Sequence, residues 1–306
     1  MEQRGQASVE WVALTLLVAL ALGAAVAAGV RLPGVALARA LSTRILCAVS
    51  LSGDCGERFA LAEAYGEEVA ALVRGHAPGL AYEQGMRALP VDFRRCRRTR
   101  CGDGAEQGYV ARSAAGQPVV AFVHVVDCRS RAGVSAAGDC SGPRRGNLYI
   151  QYWTYYPDSA TLRGVPVAGA AGYHRDDWEG VQVRIGPDGE ADERATSHAG
   201  YNYGRGPGNW ASDAGIGPLR DLEEAVGLRR AGGWGPETGW LFVSGGSHAG
   251  SAVGEPWRVG RVTRRRDLRL VPLEPVAAGA AGRTRFVIAP PWRKAVWRDP
   301  EASGTD

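Results

Sequence analysis

A run of twenty residues without a charge, from Trp11 to Val30, most constrains how this chain can fold. A helix rises about 1.5 Å per residue, so such a run makes a helix of roughly 30 Å, the thickness of the hydrocarbon core of a bilayer. No other stretch of the sequence approaches this length. The sequence therefore predicts a single transmembrane helix over residues 11–31, preceded by a leader at 1–10.

The residues in front of that run end in a carboxylate, Glu10, which is costly to place at the edge of a membrane and needs a reason. The stretch Gly5–Trp11 resembles the processing site of Flp/TadE-type pilin-like proteins, in which a prepilin peptidase cuts after a glycine and a glutamate stands five residues further on. The resemblance implies cleavage between Gly5 and Gln6 and a partner in pilus-assembly or secretion machinery. A plain anchor and a signal peptide cleaved at the Ala25–Ala27 site remain alternatives. All three place most of the chain at the extracytoplasmic face, anchored in the membrane or secreted after processing.

Six cysteines follow the apolar run: Cys47, Cys55, Cys96, Cys101, Cys128 and Cys140. An even number of cysteines in an extracytoplasmic chain favours disulfides. There is no C-x-x-C pair, and the spacings do not match a zinc site. The sequence alone leaves the connectivity open, and we expect the three loops between nearest neighbours, 47–55, 96–101 and 128–140. Unpaired buried thiols in a cytosolic protein are the alternative.

The composition excludes several classes of protein. With 36 Lys and Arg against 32 Asp and Glu, the net charge is +4 over 306 residues, which does not indicate a nucleic-acid partner. A hydrophobic fraction of 45% is enough for a core and excludes intrinsic disorder as the main state. A single apolar run of membrane length excludes a polytopic membrane protein.

Beyond the apolar run, the sequence predicts a helical, cysteine-containing connector over 32–105 and a β-domain over 106–306. Glu57–Arg74 has apolar residues at helical spacing, and Pro218–Val226 predicts a second helix. Apolar, β-branched or aromatic runs of strand length recur between Gly- and Pro-rich loops. These predicted strands lie at 118–126, 147–156, 178–185, 194–197, 240–244, 268–273 and 285–288. Short strands, long loops and few helices predict a mainly β fold, a β-sandwich with one or two helices.

The segment His174–Glu179 packs one histidine and three carboxylates into six residues. In a strand over 177–185, alternation places five residues on one face: Asp177, Glu179, Val181, Val183 and Ile185. The apolar members of that row face a core, so the two carboxylates continue it towards the mouth of the sandwich. Paired, partly buried carboxylates need a counter-charge, and a divalent cation with oxygen ligands is one such partner. The alternative is a strand end that frays into solvent, with ion pairs to Arg175 or its neighbours.

Four segments resemble the necrosis- and ethylene-inducing-like (NLP) proteins. Tyr173–Glu179 agrees at five of seven positions with the family signature Gly-His-Arg-His-Asp-Trp-Glu. Upstream, Tyr155–Ser159 is similar to the family's Tyr-Phe-Pro-Lys-Asp-Ser stretch. Ser197–Tyr201 resembles its His-Gly-Gly-Tyr turn, and Val243–Ala249 resembles its strand ending in Gly-Lys-His-Ala. A plant vacuolar-protein-sorting-related family shares the His-Asp-Trp-Glu and Gly-Ser-His-Ala boxes.

This resemblance implies a β-sandwich that holds a divalent cation, Mg or Ca, in a surface cleft. Asp158, Asp177 and Glu179 would supply oxygen ligands, with His174 beside them in the metal site and His248 across the cleft. In the toxin group the cleft binds a sphingolipid head group without known covalent catalysis.

The chain departs from the NLP signature at Tyr173 and Asp176 and carries an insertion over 160–172. Arg175 and His198 are further candidates to line the cleft. The sequence therefore predicts a membrane-anchored extracytoplasmic module that binds a polar lipid head group or a glycan.

Two other functions remain open. One is a metal-assisted hydrolase, in which the ion activates water and His174 or His248 acts as the base. The other is a structural, pilus-associated surface subunit.

Overall fold

The computed structural model describes residues 12–21, 55–86, 89–94, 118–129, 138–160, 173–197, 200–204, 233–254, 256–274 and 286–302. The chain divides into two compact units, Met1–Ala60 and Leu61–Asp306. All the predicted metal and cleft residues belong to the second unit.

In the first unit, residues 12–21 are helical and lie within the predicted span 11–31. No helix of the described chain is long and apolar enough to cross a membrane, so the predicted transmembrane helix gains no support. The leader at 1–10 and its candidate processing site lie outside the described residues.

Two helices, Cys55–Tyr65 and Glu67–Gly75, occupy the region where one helix was predicted. The prediction of a continuous helix over 57–74 was wrong because Gly66 adopts a φ of 79°, a left-handed conformation that glycine reaches without steric cost and that ends an α-helix. The buried side chains of the two helices join the core: Leu61, Tyr65, Val69, Ala70 and Val73.

Eleven strands are described, in the order β1 (Gly79–Glu83), β2 (Val120–Asp127), β3 (Leu148–Ala160), β4 (Tyr173–Ile185), β5 (Ala191–Ser197), β6 (Gly200–Asn202), β7 (Gly235–Pro236), β8 (Trp240–Val243), β9 (Gly250–Ser251), β10 (Val259–Thr263) and β11 (Arg269–Pro272). This confirms the mainly β prediction. The predicted helix at 218–226 lies outside the described residues.

The described strands form two mixed sheets. The smaller has the order β10-β1-β8-β9, with β1 parallel to β8 and antiparallel to β10. The larger has the order β11-β2-β3-β4-β5-β6, with β7 beside β5 and a parallel pair at β11 and β2. Because β1 pairs with two strands of the predicted β-domain, the second unit begins well before residue 106.

One core lies between the two sheets. It includes Leu80 and Leu241 from the smaller sheet and Val123, Ile150 and Val183 from the larger one. A second cluster covers the opposite face of the larger sheet and is mostly aromatic: its buried aromatic members are Phe93, Phe122, Trp153, Tyr155, Trp178 and Tyr201.

The predicted strand at 285–288 was wrong in its described part. Residues 286–289 form no strand, and the Val287 amide donates instead to Asp176 Oδ2 at 2.8 Å. The segment packs through Phe286 on the aromatic cluster. An apolar run can therefore be buried as a covering segment as well as in a sheet.

A disulfide joins Cys128 at the end of β2 to Cys140, with 5.2 Å between their Cα atoms. This confirms the predicted 128–140 loop. The predicted loops 47–55 and 96–101 involve cysteines outside the described residues.

Candidate functional site

The antiparallel pairing of β3 with β4 places Tyr156 opposite Asp177 and Thr154 opposite Glu179. Further along β4, Val181 and Val183 enter the core between the sheets. Asp177 and Glu179 are only 5% and 6% exposed. The predicted continuation of the core-facing row by two carboxylates therefore agrees with the observed burial.

His248 meets Asp177 from the other sheet. It lies in the turn between β8 and β9, is 1% exposed, and its Nδ1 is 2.6 Å from Asp177 Oδ2. Its ring stacks on that of Tyr156, with 4.0 Å between centroids and 12° between planes. The imidazole and the carboxylate thus link the two sheets at one end of the core.

Each member of this pair keeps one polar atom unused. Asp177 Oδ1 and His248 Nε2 make no hydrogen bond to any residue that the structure describes. A carboxylate oxygen and a ring nitrogen side by side can together accept and donate hydrogen bonds to one polar ligand.

The backbone is strained at two residues of this site. Of the described non-glycine residues, only Asp176 (φ 64°) and His248 (φ 60°) have a left-handed conformation. Asp and His adopt this conformation more readily than most residues, but it still costs of order 1 kcal/mol and is concentrated at functional sites. Both strained residues adjoin Asp177, one in sequence and the other through its side chain.

Glu179 is held within the larger sheet. Its Oε2 accepts a short hydrogen bond from the Thr196 hydroxyl on β5, and its backbone carbonyl accepts one from Thr154 Oγ1 at 3.1 Å. Thr196 was not singled out in the sequence, because its proximity depends on the register of β4 with β5.

The other predicted site residues are less closely gathered. Asp158 is buried and lies opposite Arg175, which is exposed. His174 is partly exposed, and its Nδ1 is 3.4 Å from the Arg175 carbonyl. His198 lies outside the described residues.

The described residues include no group of three or more His, Cys, Asp or Glu side chains that could hold a metal ion. Asp177 and Glu179 instead use one oxygen each on His248 and Thr196. As they stand, the two carboxylates are engaged with protein side chains, so a divalent cation would have to displace at least one hydrogen bond.

Asp176, beside the site in sequence, points to the opposite side of the sheet. Its Oδ1 accepts a hydrogen bond from the Tyr155 hydroxyl at 2.8 Å, and its Oδ2 accepts one from the Val287 amide. It therefore fastens the 286–289 segment, and only Asp177 and Glu179 of the three carboxylates in His174–Glu179 face the core.

Sequence reasoning also missed Tyr156. Burial raises the pKa of its phenol well above the ordinary value, and the Tyr82 phenol and the charges of Asp177 and Glu179 act in the same direction. The signals in the sequence were its position in the predicted strand 147–156 and in the segment Tyr155–Ser159 that resembles the NLP family. Its proximity to His248 could not be inferred without the packing of the two sheets.

The chain matches no protein-family model and no curated protein. Among solved structures it is similar to NLPPya in complex with mannosamine, with 15% identity, a TM-score of 0.39, and coverage of 74% of this chain and 86% of that one. NLPPya in complex with glucosamine gives 17% identity, a TM-score of 0.39 and the same coverage. Necrosis and Ethylene inducing Protein 2 from the causal agent of cocoa's Witches Broom disease gives 18% identity and a TM-score of 0.36, over 68% of this chain and 76% of that one. The structural neighbours are thus necrosis- and ethylene-inducing proteins, the group that the sequence boxes resemble.

Proposed function

We propose that the second unit is a binding module for a polar head group or a glycan, and that the Asp177–His248 pair is its recognition site. The observation that supports this is the pair itself: two buried groups, 2.6 Å apart, each with one polar atom that makes no hydrogen bond to a described residue. A hydroxyl or ammonium group could donate to Asp177 Oδ1, and a neighbouring hydroxyl could bind His248 Nε2. Sugars and polar head groups carry such groups in adjacent positions.

Access to the pair is expected from the end of β4. Exposure rises from Asp177, which is buried, to Arg175, which is exposed, with His174 partly exposed next to it. A ligand entering here would meet His174 and Arg175 first and reach the buried pair last.

The test is calorimetric titration with glucosamine, a compact ligand that carries both hydroxyls and an ammonium group. Asp177→Asn keeps the volume and removes the charge, and should weaken binding at least tenfold. Asp127→Asn is the matched control, since Asp127 is 6% exposed and lies on β2 beside the far end of β3, opposite Leu148. Equal binding by wild type and Asp177→Asn would contradict the proposed site.

A Mg or Ca ion remains a separate part of the proposal, because the sequence resemblance implies one. Binding would require Asp177 or Glu179 to exchange its present hydrogen bond for the ion, with Asp158 and His174 as the remaining candidate ligands. An ion that binds only the folded state should raise the melting temperature as its concentration increases. A melting temperature that does not respond to either ion, up to millimolar concentrations, would remove the cation from the proposal.

One observation favours a hydrolase as the second candidate. Asp177 orients the His248 ring through Nδ1, which leaves Nε2 as a base, the arrangement that carboxylate–histidine pairs use in hydrolases. Turnover of a phosphodiester or glycoside substrate that is lost in His248→Asn would support it. Binding without turnover would favour the module.

We also propose that this module is displayed on the extracytoplasmic face, anchored through the predicted span 11–31. The Cys128–Cys140 disulfide is consistent with an oxidising compartment. N-terminal sequencing of the membrane-extracted protein should begin at Gln6 if the pilin-like processing site is used. A start near residue 28 in a soluble fraction would indicate a signal peptide, and an intact Met1 would indicate a plain anchor.

A further inference from the structure

Tyr156 is fully buried, yet its hydroxyl makes no hydrogen bond to any residue in the described part of the chain. Neighbouring core tyrosines differ: the Tyr152 hydroxyl donates to the Val73 carbonyl at 2.7 Å, and the Tyr82 hydroxyl lies 3.1 Å from Thr263 Oγ1. A buried hydroxyl without a partner is unfavourable, and such groups are rare in folded proteins. The Tyr156 hydroxyl, like that of Tyr201, has no partner among the described residues, and a bound ligand could supply one.

The surroundings of Tyr156 indicate where that partner would be. The residue lies opposite Asp177 on the adjacent strand, and its ring stacks on His248. The nearby Thr154 hydroxyl acts to lower the pKa of Tyr156, but the hydrogen bond that it donates goes to the Glu179 carbonyl. Among the described tyrosine side chains of β3 and β4, Tyr156 alone has a hydroxyl without a partner, and its ring contacts His248 of the Asp177–His248 pair.

We propose that Tyr156 is a specificity-determining residue of this site, and that its hydroxyl donates a hydrogen bond to a hydroxyl oxygen of the ligand. This rests on the proposed binding function. A ligand hydroxyl is both donor and acceptor, so it can donate to Asp177 Oδ1 while it accepts from the phenol. A donor-only or purely apolar group at the same place would leave the phenol unsatisfied. The site should therefore select a hydroxylated ligand over a deoxy analogue.

Tyr156→Phe and Tyr152→Phe form a matched pair, because both remove one buried hydroxyl from the same strand and only the second removes a hydrogen bond. Without ligand, Tyr152→Phe should lower the melting temperature by about 2–4 °C, whereas Tyr156→Phe should leave it unchanged or raise it. In glucosamine titrations, Tyr156→Phe should weaken binding about tenfold, and Tyr152→Phe should bind as wild type does.

The outcomes separate the two proposals. If wild type binds glucosamine and Tyr156→Phe binds it equally well, the role of Tyr156 is overturned and the binding site stands. If Tyr156→Phe loses as much thermal stability as Tyr152→Phe, the phenol already has a partner in the free protein, and the inference is overturned. If wild type does not bind glucosamine, the proposed function fails first, and the ligand role of Tyr156 fails with it.

Discussion

Two buried histidines, each paired with a carboxylate, lie on opposite faces of the larger sheet, and the two pairs share most of their geometry. His248 Nδ1 is 2.6 Å from Asp177, and His124 Nδ1 is 2.6 Å from Glu274. Both histidines are 1% exposed, and both stack on an aromatic ring, Tyr156 in one case and Trp297 in the other. Geometry at the first nitrogen therefore does not distinguish them.

The second ring nitrogen, Nε2, distinguishes the two histidines. His124 Nε2 is 2.9 Å from the Trp297 carbonyl, and the residue lies within the regular strand β2. His248 has a left-handed backbone, and the structure describes no hydrogen bond at its Nε2. A pair in which both nitrogens have partners holds parts of the fold together, whereas a strained pair with an unused nitrogen is equipped to bind something else.

The His124 pair has a clear structural task. Glu274 also accepts a hydrogen bond from the Tyr65 hydroxyl, so the His124–Glu274 pair connects a helix, β2 and the C-terminal segment that carries Trp297. Burial acts to raise the pKa of Glu274, but the hydrogen bond and charge of His124 outweigh it and leave that pKa lowered. The carboxylate is therefore stabilised in its charged form by the fold.

The largest effect is expected for His124→Ala, which should lower the free energy of unfolding by about 3–4 kcal/mol. The variant removes a stacked ring, leaves the Trp297 carbonyl without its partner and takes one hydrogen bond from Glu274, which keeps the one from Tyr65. Urea denaturation measures the loss, and glucosamine binding by the folded fraction should be unchanged. Loss of binding with intact stability would reverse the roles that we assign to the two pairs.

Glu193, a buried acid on β5, makes the stability of the protein depend on pH. Variants of the two pairs must therefore be compared at one pH. Burial raises the pKa of Glu193 from 4.5 to about 7, although hydrogen bonds from Thr238 and the Gly239 amide oppose the shift. Between pH 4.5 and about 7, Glu193 has lost its proton in the unfolded chain and keeps it in the folded chain. The free energy of unfolding therefore falls as the pH rises through this range. The total loss is about 3 kcal/mol.

Glu193→Gln should remove this slope and should be more stable than wild type at pH 8. Denaturation at a series of pH values tests the expectation, with the exposed Glu190→Gln as control. A wild-type stability that rises between pH 5 and 7 would contradict it.

The smallest stability effect is expected for His248→Asn, about 1–2 kcal/mol, because asparagine tolerates the left-handed backbone and can still reach a neighbouring carboxylate. Binding should nevertheless fall at least tenfold, since the variant lacks the ring nitrogen that we propose as a ligand contact. Calorimetry and denaturation on the same samples give both values, with His76→Asn as control. If His248→Asn costs as much stability as His124→Ala and leaves binding intact, the distinction between the two pairs is lost.

Several features followed from the sequence because their causes are local. Alternation along β4 predicted that Asp177 and Glu179 lie in one row with Val181 and Val183, and six predicted strands overlap observed ones. Short spacing predicted the disulfide between Cys128 and Cys140. In contrast, β1 and β10 were not predicted, since neither has the alternation or length that signals a strand and each depends on partners far along the chain.

The sequence by itself determined the mainly β fold and the row of acidic residues, because side-chain direction in a strand follows from the backbone alone. Only the tertiary structure decided what those acids meet. Asp176 and Asp177 are adjacent in the chain, yet one fastens the 286–289 segment and the other binds His248 from a different sheet. Such contacts arise from register and sheet packing, which involve residues about 70 and 110 positions away and leave no local pattern.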